Sequence, residues 1–249
     1  MHTAPDTAAS TAPAAPGRNS ACATCRGRHF CLPQAGEASG RAPRRIRVAR
    51  GAALYCAGAP VGEQVYAVRY GSFKLTRSDR AGGRLILGFP GSGDFLALEA
   101  IGLARHDCSA VALEDSEVCD MSYASMREQP QFFQGIISHS IRDMQDVLLQ
   151  QRRTTAEQRL AAFLLRQAAW HGARGCSEVR FALPMARQDL AAFLNLSPEC
   201  LSRLLRRFSQ LGLVAAGRHE VALLDRPGLE ALAAPASPSP DRVIKLARV

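Results

Sequence analysis

The sequence predicts an α+β chain: an N-terminal β-roll, a long helix and a C-terminal winged helix-turn-helix. Three observations predict it. Short apolar runs punctuated by turn residues fill residues 46–125. At Pro130 the apolar spacing becomes helical. Further on, "SPECLSRLLRRF" reads as a capped amphipathic helix, with a strand pair after it.

Composition sets the bounds. A chain of 249 residues suffices for two domains or one large one. No stretch approaches the roughly 18 consecutive apolar residues of a membrane span, so no membrane partner is expected. The N-terminal "MHTAPDTAASTAPAAPGRNS" has neither a basic start nor an apolar core, which argues against a signal peptide and for a cytoplasmic protein. In that compartment clustered cysteines suit metal ligands or redox groups better than structural disulfides. The formal net charge of +9 suits a nucleic-acid partner. No nucleophile–base pairing and no phosphate-cradling loop is visible, so an enzyme is not expected.

Residues 1–20 are rich in Ala, Pro and Thr and read as disordered. A cysteine segment follows at 21–33, and "GEASGRAPRR" separates it from the roll, placed at 44–129. There "LYCAG", "QVYAVRYGSFKLTRS", "RLILGF" and "CSAVALEDSEVCDMSY" carry strand-length apolar runs. Many short strands at regular spacing suggest a roll or sandwich. Residues 130–170 read as a helix and its connection. Ile137, Ile141, Met144 and Leu148 fall at spacings of four, three and four among polar neighbours, a narrow seam suited to packing on its own domain or to pairing with a second copy. Residues 171–232 read as the winged helix-turn-helix, and 233–249 as a Pro/Ser-rich tail.

Within that unit "RQDLAAFL" makes a first helix with Leu190, Ala191 and Leu194 inward, and Asn195 marks the turn. Ser197 caps the second helix and Pro198 opens it. Leu201, Leu204, Leu205 and Phe208 face inward. Glu199, Ser202 and Arg203 face outward near the N-terminus, where such a helix enters a major groove. Arginine reads guanine, glutamate accepts from cytosine N4, and serine bonds either way. Arg206 and Arg207, further along, suit phosphates. Double-stranded DNA is the expected partner.

"CATCRGRHFC" places Cys22, Cys25 and Cys31 at C-x2-C-x5-C spacing. Three thiolates are an incomplete metal site. A zinc site and a thiol–disulfide switch are both open on these residues alone.

The whole layout resembles the cAMP receptor protein superfamily. "PECLSRLLRRF", "AEQRLAAFL", "GDFLALEAIG" and the cysteine run followed by Leu-Pro are similar to its FNR branch, the fumarate and nitrate reduction regulators. The likeness covers about residues 20–230. It implies a cyclic-nucleotide-binding-like jelly roll, a dimerisation helix, and a [4Fe-4S] cluster held by Cys22, Cys25, Cys31 and a fourth cysteine before the last strand of the roll. Cys119 matches that fourth position, with Cys108 its competitor. The resemblance further implies an oxygen-responsive transcription factor, active as a homodimer on palindromic sites with half-sites like TTGAT, that touches RNA polymerase. A turn at Ser78–Gly83 resembles one such contact surface.

Two departures stand out. Binding a cyclic nucleotide calls for a Gly-Glu and an Arg-Ser or Arg-Thr pair; here the sites read "GDF", with Asp94, and "HDCSA", with Cys108. Without the guanidinium a phosphodiester has no charge partner, so no cyclic nucleotide is expected. Met144 stands where the FNR pattern tends to place an aspartate, which removes a repulsion across the dimer axis and loosens any link between cluster and dimer. The rival readings are a regulator of the same fold answering a small effector or thiol oxidation, and a thiol redox protein using Cys22 and Cys25.

Overall fold

A computed structural model describes residues 44–78, 83–127, 130–152 and 155–234. Cys22, Cys25, Cys31, residues 79–82 of the Ser78–Gly83 turn and the tail from residue 235 lie outside the described residues.

Among the described residues eight strands build the roll: β1 (Arg44–Val48), β2 (Ala53–Tyr55), β3 (Gln64–Tyr70), β4 (Phe73–Ser78), β5 (Arg84–Gly88), β6 (Phe95–Leu96), β7 (Ser109–Ala112) and β8 (Ser116–Ser122). They form two four-stranded sheets, β1-β8-β3-β6 and β2-β7-β4-β5. Alternation in β3 and β8 divides the residues between two cores. Val68 and Val118 point between the sheets with Val48, Phe73 and Leu96. Val65, Ala67, Cys119 and Met121 point the other way, onto helices.

Those helices are α1 (Tyr123–Arg127) and α2 (Pro130–Gln151). Met126 and Ile136 are buried against the outer face of the roll, joined by Phe132 and Phe133. The sequence reading assigns residues 130–170 to one helix and its connection. The structure instead starts a new helix, α3 (Ala156–Gly172), at a capping box. Thr155 Oγ1 accepts from the Gln158 amide and the Gln158 side chain accepts from the Thr155 amide, both at 3.1 Å. Each satisfies a donor the helix start would otherwise leave open.

α3 buries Leu160, Ala161, Phe163 and Leu164 in the C-terminal core, so that unit begins at Thr155 rather than at 171. The rest of it is β9 (Arg180–Ala182), α4 (Arg187–Phe193), α5 (Pro198–Gln210), β10 (Val214–Ala216), β11 (Glu220–Leu223) and α6 (Arg226–Ala233). The strands pair in the order β10-β11-β9 and make the wing. The fold is the expected α+β arrangement of roll, helix and winged helix-turn-helix.

Candidate nucleic-acid interface and metal centre

α5 presents Glu199, Ser202, Arg203, Arg206 and Arg207 to solvent, while Leu201, Leu204, Leu205 and Phe208 are buried beneath. Local chemistry fixes the helix start. Ser197 Oγ accepts from the Cys200 amide at 3.1 Å, and Pro198 takes the first turn, where no N–H is needed. Asn195 makes the preceding turn at φ 54°, a left-handed conformation asparagine tolerates. Arg159 of α3 donates to the Leu194 carbonyl at 2.8 Å and fastens that turn to the supporting helix.

The exposed face is chemically graded. The backbone amide of Glu199 and the Ser197 hydroxyl hold the Glu199 carboxyl below its usual range, with Arg203 adding to the effect. Glu199 is therefore an anion and an acceptor. Ser202 Oγ donates to the Pro198 carbonyl at 2.9 Å, which leaves its lone pairs outward. Arg206 takes part in no ion pair among the described residues, whereas Arg207 pairs with Glu157 at the start of α3. Arg187 of α4 donates to the Gly217 carbonyl at 2.5 Å and ties the wing turn to the helix pair. Arg218 and His219 are exposed at the tip.

Cys119 lies on β8, 5% exposed, on the outer face against α2. It is directly opposite Ala67 of β3 on one side and Arg45 of β1 on the other. Cys108 lies between the sheets instead, 1% exposed, and donates to Glu99 Oε1 at 2.9 Å. Burial, reinforced by the hydrogen bond and charge of Glu99, pushes its thiol up to about 12. A thiol so hard to ionise is a poor metal ligand. Tyr55 Oη also donates to Glu99, at 3.3 Å, and His106 stacks on Tyr55 with ring centroids 4.2 Å apart. Tyr55, Glu99, His106 and Cys108 thus form one connected group in the roll. Of the other described cysteines, Cys56 is exposed, and Cys176 and Cys200 are half-buried.

Comparison with known proteins agrees with this geometry. Residues 45–131 match the cyclic nucleotide-binding domain family, and residues 158–232 match the Crp-like helix-turn-helix domain family. The transcriptional regulatory protein btr of Bordetella pertussis is 35% identical over 224 residues, 85% of this chain and 92% of that protein. The fumarate and nitrate reduction regulatory protein of Salmonella typhimurium is 32% identical over 197 residues, 76% of this chain and 78% of that protein. The structure of FixK2 from Bradyrhizobium japonicum superposes with a TM-score of 0.69 at 26% identity, covering 79% of this chain and all of that one. The chain belongs to the CRP/FNR family of transcriptional regulators.

In this CRP/FNR regulator the structure also shows a junction between sensor and DNA-binding units that the sequence reading did not identify. Arg174, just after α3, pairs with Asp94 of the roll. Trp170 Nε1 donates to the same carboxylate at 3.2 Å, and the Gly91 amide donates at 2.8 Å. Asp94 is therefore turned away from the roll's interior, where Glu99 faces Tyr55 and Cys108. Lys74 of β4 pairs with Asp189 of α4 at 2.7 Å, and Phe89 meets Phe193 edge-on at 5.3 Å. Asp94, His139 and Asp143 bring ligand atoms within 4.8 Å of one another. With Arg174 on Asp94, and the charges of Asp143 and Asp94 both acting on Arg166, this is an ionic junction already supplied with cations. Among the described residues no helix is long and apolar enough to cross a membrane.

Proposed function

We propose that this regulator senses oxygen through a [4Fe-4S] cluster held by Cys22, Cys25, Cys31 and Cys119, and binds palindromic DNA as a homodimer while the cluster is intact. The placement of Cys119 carries the reading. It lies beside the edge strand β1, and Arg44, the first residue of that strand, follows Cys31 by thirteen residues. Thirteen residues reach at most about 45 Å, a tether long enough for the three N-terminal thiols to meet the fourth. The donor set suits the group: a cubane takes four thiolates, and the fourth can come from far along the sequence. Cys108, enclosed between the sheets with a raised pKa, does not fit.

When bound, the cluster supplies iron–sulfur chemistry that is sensitive to oxygen. The remaining steps belong to this chain. Ligation at Cys119 would tie residues 22–31 to the outer face of β8, against which α2 packs Ile136, Phe132 and Phe133. A neighbouring face of α2 leaves Ile141, Met144 and Leu148 exposed and Ile137 half-buried, a seam for the second copy. Pairing there presents two α5 helices to two half-sites. Arg203 and Glu199 read base edges, Ser202 assists, and Arg206 and Arg207 meet phosphates. The names of relatives support gene activation, "Transcriptional activator protein anr" of Pseudomonas aeruginosa among them, at 35% identity. Activation calls for contact with RNA polymerase. Cys108 stands where a guanidinium would meet a phosphodiester, and its thiol is engaged with Glu99, which supports a regulator without a cyclic nucleotide.

Protein purified without oxygen is expected to be straw-brown, with about four iron and four sulfide per chain. Serine at Cys22, Cys25, Cys31 or Cys119 should bleach it; serine at Cys56, Cys108 or Cys176 should not. A colourless anaerobic protein containing one zinc overturns the proposal. Indifference of DNA binding to the four serine changes would favour a small effector instead.

A further inference from the structure

The three arginines of β1 sort by what lies across from them on β8. Arg44 is opposite Asp120, and its charge acts on that carboxyl. Arg47 is opposite Glu117 and pairs with it at 3.5 Å. Arg45 is opposite Cys119. Residues directly opposite in an antiparallel pair project from the same face with Cβ atoms about 5 Å apart. The Arg47–Glu117 contact shows this on the outer face, and Arg45 and Cys119 lie two residues along from that pair on the same face. Arg45 is exposed and takes part in no ion pair among the described residues. Two of the three arginines face a carboxylate, and the third faces a thiol.

A guanidinium beside a neutral thiol gains little. Beside a cluster it gains more, because a core of charge 2+ held by four thiolates is an anion of about −2. We propose that Arg45 is a positioning residue for the cluster at Cys119, the cation that stabilises the anionic centre and slows its loss in air. The inference rests on the cluster reading above. Its physics is the interaction between one fixed charge and a change of charge nearby. Oxidation of a bound cluster by dioxygen would take one electron from it and leave superoxide. The centre becomes less negative, and its attraction to Arg45 weakens. The cation therefore favours the reduced side. Because Arg45 is exposed, solvent screens the effect, and salt reduces it further.

The test compares full-length wild type with Arg45→Gln, Arg45→Glu and Arg45→Lys, and with Arg218→Gln as an equal charge change at the wing tip. Three quantities are read: iron and sulfide per chain after anaerobic purification, the rate of bleaching at fixed dioxygen, and the one-electron midpoint potential. Arg45→Gln should bleach about three- to tenfold faster, with a midpoint lower by up to about 59 mV, the equivalent of a tenfold change for one electron. Arg45→Glu should be more labile still, or carry less cluster. Arg45→Lys should stay within about twofold of wild type, and so should Arg218→Gln, by the steep fall of screened charge effects with distance. Thermal melting of the cluster-free chains should not distinguish the variants. Wild-type bleaching rates and potentials in Arg45→Gln and Arg45→Glu overturn the inference and leave the cluster standing. A wild-type protein that holds no iron and sulfide overturns both.

Discussion

Arg174 and Asp94 form an ion pair buried between the DNA-binding unit and the roll, with side chains 4% and 14% exposed. The guanidinium also lies 3.9 Å from the centroid of the Trp170 ring and donates to the Trp170 carbonyl at 3.0 Å. Trp170 can approach because residue 91 is glycine: a Cβ there would come within 2.8 Å of the indole. Ion pair, indole and glycine together hold the C-terminal end of α3 against the roll.

Breaking the pair from one side should be costly. Arg174→Ala leaves Asp94 without its cation in a buried site, a loss of about 3–5 kcal/mol. Burial raises the Asp94 carboxyl above its usual range, while Arg174, the Gly91 amide and the Trp170 N–H pull it back. A carboxyl raised in the fold binds its proton more tightly folded than unfolded. Its contribution is complete below the ordinary carboxylate range and is lost as pH rises through the raised value. The Arg174→Ala penalty should therefore grow from acid towards neutral pH, and Asp94→Asn should abolish that growth. Urea melts at several pH values test this; a penalty independent of pH contradicts it.

Base and phosphate contacts on α5 should separate by salt. Arg203→Ala is expected to cost roughly 1–3 kcal/mol at the specific site and relax preference at one base pair. Arg206→Ala should weaken binding to all sequences and lower the salt slope by about one. Arg207→Ala should do the same and also remove the Glu157 tie to α3, an exposed pair worth about 0–1 kcal/mol in stability. Binding titrations on specific and scrambled duplexes at several salt concentrations measure both. Equal changes of sequence preference in Arg203→Ala and Arg206→Ala would contradict the division.

The helix-turn-helix was legible because its information is local. Ser197, Pro198 and the leucine period of α5 specify a start, a face and a direction within twelve residues. The start of α3 was equally local, in Thr155 and Gln158, but the continuing apolar period masked it. β1 was missed because an edge strand reading RRIRV buries only Val48 fully and half-buries Ile46, too little alternation to stand out. The interdomain junction could not be read at all: Asp94 and Arg174 are eighty residues apart, and nothing near either one names the other. The side of β8 on which Cys119 lies follows from alternation with Val118, but which side meets α2 is a tertiary fact.

A strained position offers a test of the roll that is independent of any ligand. Ala97 sits at φ 66° and is 1% exposed, just before the 3-10 turn Leu98–Ala100. A left-handed alanine costs about 1–2 kcal/mol, and glycine avoids that at an entropic cost of about 0.5–1 kcal/mol. Ala97→Gly should therefore stabilise the chain by up to about 1 kcal/mol, visible as a higher melting temperature. Ala97→Val, β-branched at the same angle, should destabilise it.

The seam on α2 gives the sharpest test of how strongly dimerisation depends on the cluster. Met144 is 57% exposed in the single chain, with Ile141 at 45% and Leu148 at 55%, so apolar surface is available for a partner. The flanking Asp143 and Asp146 exert their charge on Arg166 of α3, a cation within the same chain that offsets their repulsion. In the proposed dimer the seam then carries a thioether at Met144. Burying one methionine is worth roughly 1.5–3 kcal/mol, and an aspartate pair in its place would lose hydration and repel. Two copies per dimer shift the dimerisation constant by a factor of about 100 or more. The cluster-free protein is therefore expected to remain partly dimeric at micromolar concentration and to keep some affinity for its DNA site in air. Met144→Asp should make dimerisation depend sharply on the cluster, and Met144→Ala should fall between. Sedimentation of cluster-free wild type beside Met144→Asp, over a range of concentrations, measures this. If both are monomeric throughout, the thioether does not hold the seam, and Asp143 and Asp146 become the residues to neutralise next.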